Sequence, residues 1–526
     1  MNLSKKNTQP THRVAINTGI LYARMGITVL ISLYSTRLVL GALGAENFGI
    51  FNVVGGAIVM LTFLNAAMAT ATQRFLSYAQ GTSDFDKQKS IFNVSVVLHI
   101  GIAIVIFLFL EGAGYFLFGG ILNIAEARMS AAKLIYQFMI VSTLLTIISV
   151  PYDAVINSHE NMLLYAILSI IESLLKLSIA IYIMYASFDK LIIYGFFMAC
   201  LSVFLLLLRW IYCYRYYTEY HINFRKHFSK PLFKEMTRFA GWSFLGCSSS
   251  MLANYGQAIV INIFFGTVVN AAQGIANQVS GQLGSFAVTM QKALNPIIAK
   301  SEGSGNRTLM LKASVFGSKV SFFLLMFFFI PILIEMPYIF KIWLKNVPDY
   351  AVIFCRLLLI RNMIEQIFIT LTISILAVGN IREYQIYTST LTFFPLVMSY
   401  ILFNLHYPPY ALYIVFILYS LINAVLVLYF ARKNCELSIS LYLKAVVFRC
   451  VTTFMLIIGL SFIAVLFRSE GNIRLFSVIS ISSISSGILI WFVGFTFEER
   501  KSILQMAKKV IAKIKLKCFL RYIATQ

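Results

Sequence analysis

Charge is scarce in this chain: only 12% of its 526 residues are Asp, Glu, Lys or Arg, roughly half the share usual in a soluble domain. That is too little to coat a water-soluble protein of this length, so water is excluded as its main solvent. Long polar loops are missing as well, which leaves no room for a separate nucleotide-binding domain or a large extramembrane loop. Seven cysteines, Cys200, Cys213, Cys247, Cys355, Cys435, Cys450 and Cys518, lie mostly inside apolar runs with no paired ligand spacing. Their scatter excludes a zinc site and a disulfide framework, and free thiols are expected. There is no P-loop, no nucleophile motif and no metal cluster, so neither catalysis nor a cofactor is expected.

What is abundant is apolar sequence, at 59% of residues. Runs of about 20 apolar residues recur from end to end, each long enough to cross roughly 30 Å of hydrocarbon as a helix whose backbone satisfies itself. About fourteen spans are expected, at 14–40, 47–73, 90–110, 132–154, 161–186, 190–214, 238–265, 268–296, 310–334, 350–378, 384–405, 410–430, 443–467 and 473–496. The fold class is therefore an all-α polytopic membrane protein. The run from Val14 is read as a retained span, since it has no short apolar core followed by a small-residue cleavage site. Between Glu111 and Ala132, the stretch Tyr115 to Ile124 fits either an extension of the third helix or a short re-entrant piece.

Lys and Arg collect in every second loop: at Lys5, Lys6 and Arg13, at Arg74, Lys87 and Lys89, between Arg215 and Arg238, at Lys300, Arg307 and Lys312, at Arg432, Lys433 and Lys444, and from Arg500 to Arg521. By the positive-inside rule these loops face the cytoplasm, so both termini are expected there, in a bacterial inner membrane. The net charge of +23 is explained by topology and anionic lipid rather than by nucleic acid. The tail from Phe497 to Arg521 interleaves Ile503, Met506, Val510, Ile511, Ile514 and Leu516 with lysines, the pattern of a helix lying on a charged membrane surface.

Gly49-Ile-Phe-Asn-Val-Val-Gly-Gly56 and Gly274-Ile-Ala-Asn-Gln-Val-Ser-Gly281 share G-I-x-N-x-V-x-G, and the same offset of 225 brings Gly41 onto Gly266. A duplicated six-helix unit in parallel orientation is expected. It divides the chain into an N-terminal lobe (1–215), a basic linker (216–237), a C-terminal lobe (238–432), two additional helices (433–496) and a basic amphipathic tail (497–526). Two lobes imply a cleft between them, where alternating access can operate.

An ionisable side chain inside hydrocarbon costs a few kcal/mol, so it normally faces a bundle interior or a wet cavity. Glu172 with Lys176 and Arg361 with Glu365 have the spacing of intrahelical pairs, and Arg37 and Lys319 lie near enough to helix ends to snorkel. Arg24, Lys292 and Arg356 have no local partner. The eighth span adds a polar stripe, with Asn270, Gln273, Asn277, Gly281, Ser285, Thr289 and Lys292 at steps of three and four, and the seventh adds Ser248, Asn254 and Gln257. A cationic cleft lined by Arg24, Lys292, Arg356, Asn277, Ser285, Gln273 and Asn254 is expected. Such a cleft selects anions, Arg offering a fork matched to phosphate oxygens and Lys a point charge.

The stretch Arg37-Leu-Val-Leu-Gly41-Ala-Leu-Gly44-Ala-Glu-Asn-Phe48-Gly49-Ile50-Phe51-Asn52 resembles the signature joining the first two helices of polysaccharide transporters of the O-antigen flippase type. These belong to the multidrug/oligosaccharidyl-lipid/polysaccharide (MOP) exporter superfamily, whose fold is MATE-like. The basic linker, the paired lobes, the two extra helices and the cationic cleft fit the same resemblance. It implies a flippase that moves undecaprenyl-diphosphate-linked oligosaccharide from the cytoplasmic to the periplasmic leaflet, for O-antigen, capsule or exopolysaccharide. It also implies coupling to H⁺ or Na⁺ or to the membrane potential, and work beside glycosyltransferases and a polysaccharide polymerase. In placement Arg24 is similar to first-helix arginines that contact diphosphate in related lipid-linked flippases.

Two other readings compete. A multidrug exporter of the same superfamily would have twelve helices and an acidic cavity. A membrane glycosyltransferase or polysaccharide polymerase would find a D-x-D pattern at Asp84-Phe-Asp86, but that triplet sits in a short loop with no nucleotide-binding domain beside it, and a solvated loop explains it.

Overall fold

The computed structural model describes residues 10–59, 63–121, 125–217, 222–344, 347–501 and 503–505. Every long element is a helix: α1 (Pro10–Val59), α2 (Phe63–Thr82), α3 (Phe85–Phe116), α4 (Glu126–Ser158), α5 (Met162–Tyr185), α6 (Lys190–Tyr216), α8 (Lys230–Gly303), α9 (Arg307–Trp343), α10 (Ala351–Val378), α11 (Arg382–Asn404), α12 (Ala411–Cys435), α14 (Phe448–Phe467) and α15 (Asn472–Leu489). Two single turns, α7 (Phe224–His227) and α13 (Ile439–Tyr442), precede α8 and α14. The third helix runs past Phe116 through a π turn to Ile121, so the ambiguous stretch prolongs that helix, and 122–124 lie outside the described residues. Most of the basic tail, 506–526, also lies outside them.

The two longest helices, α1 of 50 residues and α8 of 74, are each broken by one glycine. At Gly44 (φ 76°, ψ 166°) in α1 and Gly266 (φ 74°, ψ −171°) in α8 the backbone leaves the helix for a region open to glycine alone. Each break ends one span and starts the next. The two glycines are therefore the structural counterparts, which corrects the repeat: Gly41 stays helical, Gly44 matches Gly266, and the second copy carries three more residues between break and motif.

Counting both arms of α1 and of α8, and taking the second arm of α1 together with α2 as one span, the described residues hold fourteen helical spans. Ten described helices are long and apolar enough to cross a membrane. The other four are the second arm of α1 with α2, the two arms of α8, and α10. These four contribute walls to the cavities described below. A wall facing water keeps polar residues that a lipid-facing helix would lose.

Three large apolar cores hold the helices, beside a small cluster of Leu21, Met162 and Ala293. One lies wholly within the first six spans, around Val39, Ile106, Ile135, Tyr136 and Ile183. A second joins α8 to α12 with α13, α14 and their π turn, around Met326, Phe354, Leu371, Phe416 and Tyr442. The third contains residues of both halves, with Phe75, Phe92 and Tyr152 packed against Met236, Phe239 and Ile381. All of its members sit toward the face at which α1 begins, here the N-terminal face. The halves thus share a core at one end of the molecule, and a cleft lies between them farther along. The first residues of α8, Lys230 to Thr237, are helical, although they were expected in the basic linker, because Ser229 caps the helix through Leu232 N–H and Pro231 occupies its first turn.

Candidate functional site

The N-terminal face is closed by close contacts between the halves. Gly81 of α2 lies against the backbone of Lys300 and Gly303 against that of Tyr78, so closely that a Cβ at either glycine would collide with a carbonyl oxygen. Arg74 reaches from α2 to the last turn of α10, its Nε donating to the Ala377 carbonyl and Nη2 to that of Val378, both at 3.2 Å. Those carbonyls have no intrahelical partner, and the guanidinium also lies 4.6 Å from the Phe75 ring and 5.2 Å from that of Phe239. Lys300 Nζ pairs with Glu160 at 3.3 Å. Slightly deeper, Tyr22 donates to the Phe286 carbonyl at 2.7 Å and Thr18 approaches the Met290 sulfur at 3.2 Å.

Beyond this closure two cavities open. One, of about 690 Å³, is lined by Arg24, Met25 and Thr28 of α1, Ser280 to Lys292 of α8, Leu325 and Phe329 of α9, and Asn362, Glu365 and Gln366 of α10. The other, of about 900 Å³, is lined by Ala66 and Thr70 of α2, the first arm of α8 from Ser243 to Tyr255, and α10, α11 and α12. Glu365 and Ile369 belong to both, so α10 is their common wall.

The smaller cavity carries the unpaired cations. The Arg24 guanidinium stands 5.2 Å from the centre of the Tyr165 ring, and its Nε is buried without a hydrogen-bond partner among the described residues. Lys292 Nζ donates to the Tyr165 hydroxyl at 2.7 Å and lies 5.0 Å from the same ring. Two cations from opposite halves therefore share one aromatic platform, and neither forms an ion pair among the described residues. A cation–π contact returns about 0.5–2 kcal/mol, whereas a cation at mid-membrane costs about 2.5–3.5 kcal/mol even on the mildest scale. The ring does not fully offset the cost of keeping both charges within the membrane, and an anion between them would.

The remaining expected residues divide. Ser285 lines the same cavity, its hydroxyl donating to the Gln282 carbonyl at 2.6 Å. Asn254 lines the larger cavity, where its carbonyl accepts from Gln257 at 3.5 Å. Glu365 lines both, held by Arg361 Nε at 2.8 Å and by the Ser420 hydroxyl at 2.8 Å, while Arg361 stacks 4.6 Å from Phe416. Glu172 and Lys176 pair within α5, Nζ to Oε1 being 2.7 Å.

Three residues were expected in the cleft and lie elsewhere. Arg356 lines neither of the two cavities. It donates to the Leu333 carbonyl at 3.0 Å and the Ile334 carbonyl at 3.2 Å. Pro337 has no N–H to offer Leu333, so the arginine satisfies a carbonyl that the proline left open. Gln273 is 1% exposed, sealed inside the second half with both amide atoms lacking a partner among the described residues. Asn277 is exposed but lines neither cavity. A stripe on a long helix is read as one surface, but the surroundings of this one change along its length.

Sequence reasoning missed Tyr165, which no motif marks, and the Arg209–Asp153 pair at 2.8 Å between α6 and α4. The pair was visible in principle as an ionisable residue in each of two apolar spans. It also missed Arg74, read only as a loop cation.

A family model described as "Polysaccharide biosynthesis protein" matches residues 13–302. No curated protein matches the chain. Among solved structures, a MATE transporter in the straight conformation superposes with a TM-score of 0.71 at 16% identity, covering 82% of this chain and 97% of that one. The outward-facing conformation of a multidrug resistance MATE family transporter of the MOP superfamily gives 0.70 at 16% identity, with coverage of 82% and 97%. A MOP superfamily transporter from Pyrococcus furiosus, described as having a binding pocket of reverse polarity, gives 0.67 at 15%, with coverage of 82% and 96%. The chain belongs to the polysaccharide biosynthesis protein family and is built on the fold of the MOP-superfamily transporters.

Proposed function

We propose that this protein is a flippase for undecaprenyl-diphosphate-linked oligosaccharide, carrying it across a bacterial inner membrane for surface polysaccharide assembly. The observation that carries the reading is the pair Arg24 and Lys292 on Tyr165, two intramembrane cations that form no ion pair among the described residues, in a cavity lined by both halves. A diphosphate meets that need, Arg24 holding its oxygens through a fork and Lys292 through a point charge. The larger cavity, with Asn254, Gln385, Thr388, Asn423 and the aromatic ring of Tyr255 in its wall, offers the amides, hydroxyls and rings that sugars bind. Fold alone does not set the cargo.

Transport would proceed by rocking the lobe 1–215 against the lobe 238–432. The present closure at the N-terminal face, through Arg74, Lys300 and the facing glycines, would open to admit cargo, and the cleft would close on the other side. The basic loops support a cytoplasmic N-terminal face, so reporter fusions after Ser229 and after Gln526 are expected to read cytoplasm and one after Asn346 periplasm. Coupling to H⁺ or Na⁺, and action beside glycosyltransferases and a polymerase, belong to the same proposal.

Depleting the protein tests it. The lipid-linked repeat unit is expected to accumulate in the inner membrane while surface polysaccharide disappears and drug susceptibility stays unchanged. Heightened drug sensitivity with intact polysaccharide would instead select the multidrug-exporter reading.

A further inference from the structure

A third cavity, small and polar, of about 320 Å³, lies at the N-terminal face, away from both transport cavities. Its wall brings together three guanidiniums, Arg74 of α2, Arg238 of α8 and Arg382 of α11, against a single carboxylate, Glu235. Arg74 is committed to the α10 carbonyls. Arg238 forms no hydrogen bond or ion pair among the described residues, and Arg382 only stacks 5.6 Å from the Trp242 ring. Two other basic side chains on this face find carboxylates: Lys433 pairs with Glu383, and Arg307 with Glu436 at 2.8 Å and with Glu302. The next residue after Arg382 is Glu383, yet it turns to Lys433. The first turn of α11 also begins in this wall with no side-chain cap at Ile381, so its open N–H groups and its dipole favour an anion there.

We infer that this cavity is a binding site for a phosphate-class anion, phosphate or diphosphate, distinct from the transport cleft. Arginine forks suit phosphate oxygens in a way that lysines do not, and the volume lies at the low end for small-ligand sites. Arg74 enters from the first half and Arg238 and Arg382 from the second, so the site is complete only while this face is closed. A bound anion therefore favours the closed arrangement, since a ligand shifts an equilibrium toward the state it binds better. The anion could come from a lipid headgroup at the membrane surface or from a free phosphate compound in solution.

Trp242 lies in the wall and reports on the site directly. The full-length protein with Trp210, Trp343 and Trp491 replaced by Phe is placed in nanodiscs. One arm uses phosphatidylcholine discs titrated with pyrophosphate, and the other compares phosphatidylglycerol with phosphatidylcholine discs without added anion. A saturable change in Trp242 fluorescence is expected in at least one arm, and the arm in which it occurs identifies the source. Arg238→Gln with Arg382→Gln is expected to weaken it about tenfold or more, the loss of a charged hydrogen bond. Should that double variant not fold, Arg382→Gln alone, at an exposed position, is expected to raise the midpoint severalfold. Silence in both arms, or an unchanged midpoint in the arginine variants, overturns the assignment.

Discussion

The contacts that close the N-terminal face and those in the cleft treat positive charge in opposite ways. At the face, Lys300 is matched by Glu160, Lys433 by Glu383, Arg307 by Glu302 and Glu436, and Arg74 by two carbonyls. In the cleft, Arg24 and Lys292 meet on an aromatic ring, and neither forms an ion pair among the described residues. A matched cation is explained by the structure it holds together. An unmatched one in a cavity is kept at a standing cost, and the proposal of cargo binding in the cleft rests on this difference.

The comparison predicts separate phenotypes. Lys292→Ala is expected to lower polysaccharide export about tenfold or more, the value of a charge-assisted contact, with unchanged protein in the membrane. Tyr165→Phe sharpens this, since it keeps the ring under Arg24 and removes only the Lys292 hydrogen bond; its export is expected to fall less than that of Lys292→Ala. Measuring export and membrane abundance together checks both.

Matched charges predict the reverse. Arg474 holds the fully buried Glu335 through two hydrogen bonds at 2.9 and 3.0 Å, tying α15 to α9. Breaking a buried pair on one side is expected to destabilise by about 3–5 kcal/mol, whereas replacing both partners with apolar residues is nearly neutral. Arg474→Ala should therefore lower the thermal midpoint of the purified protein markedly, and Arg474→Met with Glu335→Leu should recover most of it. Arg356→Ala, which removes two carbonyl contacts around Pro337, is expected to destabilise by about 2 kcal/mol and to leave export per molecule unchanged. The smallest effect is expected at Glu172→Gln, whose pair with Lys176 is about a third or more exposed and worth less than about 1 kcal/mol. A loss of export there without loss of protein would show that α5 contributes charge to the cargo path.

Span positions and the all-helical class were legible in the sequence because they depend on apolar length, which each segment carries by itself. The site was legible only where a residue's meaning is local. Arg24 and Lys292 stood out because no partner lay within one helical turn. Arg356 looked the same and is not, because its partner is a carbonyl freed by a proline on another helix. Gln273 and Asn277 share a stripe with Ser285, but whether a stripe faces a cavity depends on what packs beside it. Tyr165 carries no signal at all until α5 is set beside α1 and α8. The breaks at Gly44 and Gly266 were within reach, since each falls where an apolar run exceeds one membrane thickness.

Arg24 tests the central claim most directly. Surface polysaccharide and membrane protein level are measured in the same cells for Arg24→Ala and Arg24→Lys. If the guanidinium holds a diphosphate, Arg24→Ala abolishes export at near-normal abundance and Arg24→Lys, which keeps the charge and loses the fork, retains part of it. Full export by a well-expressed Arg24→Ala variant would contradict the account, as would a fall in abundance that matches the fall in export.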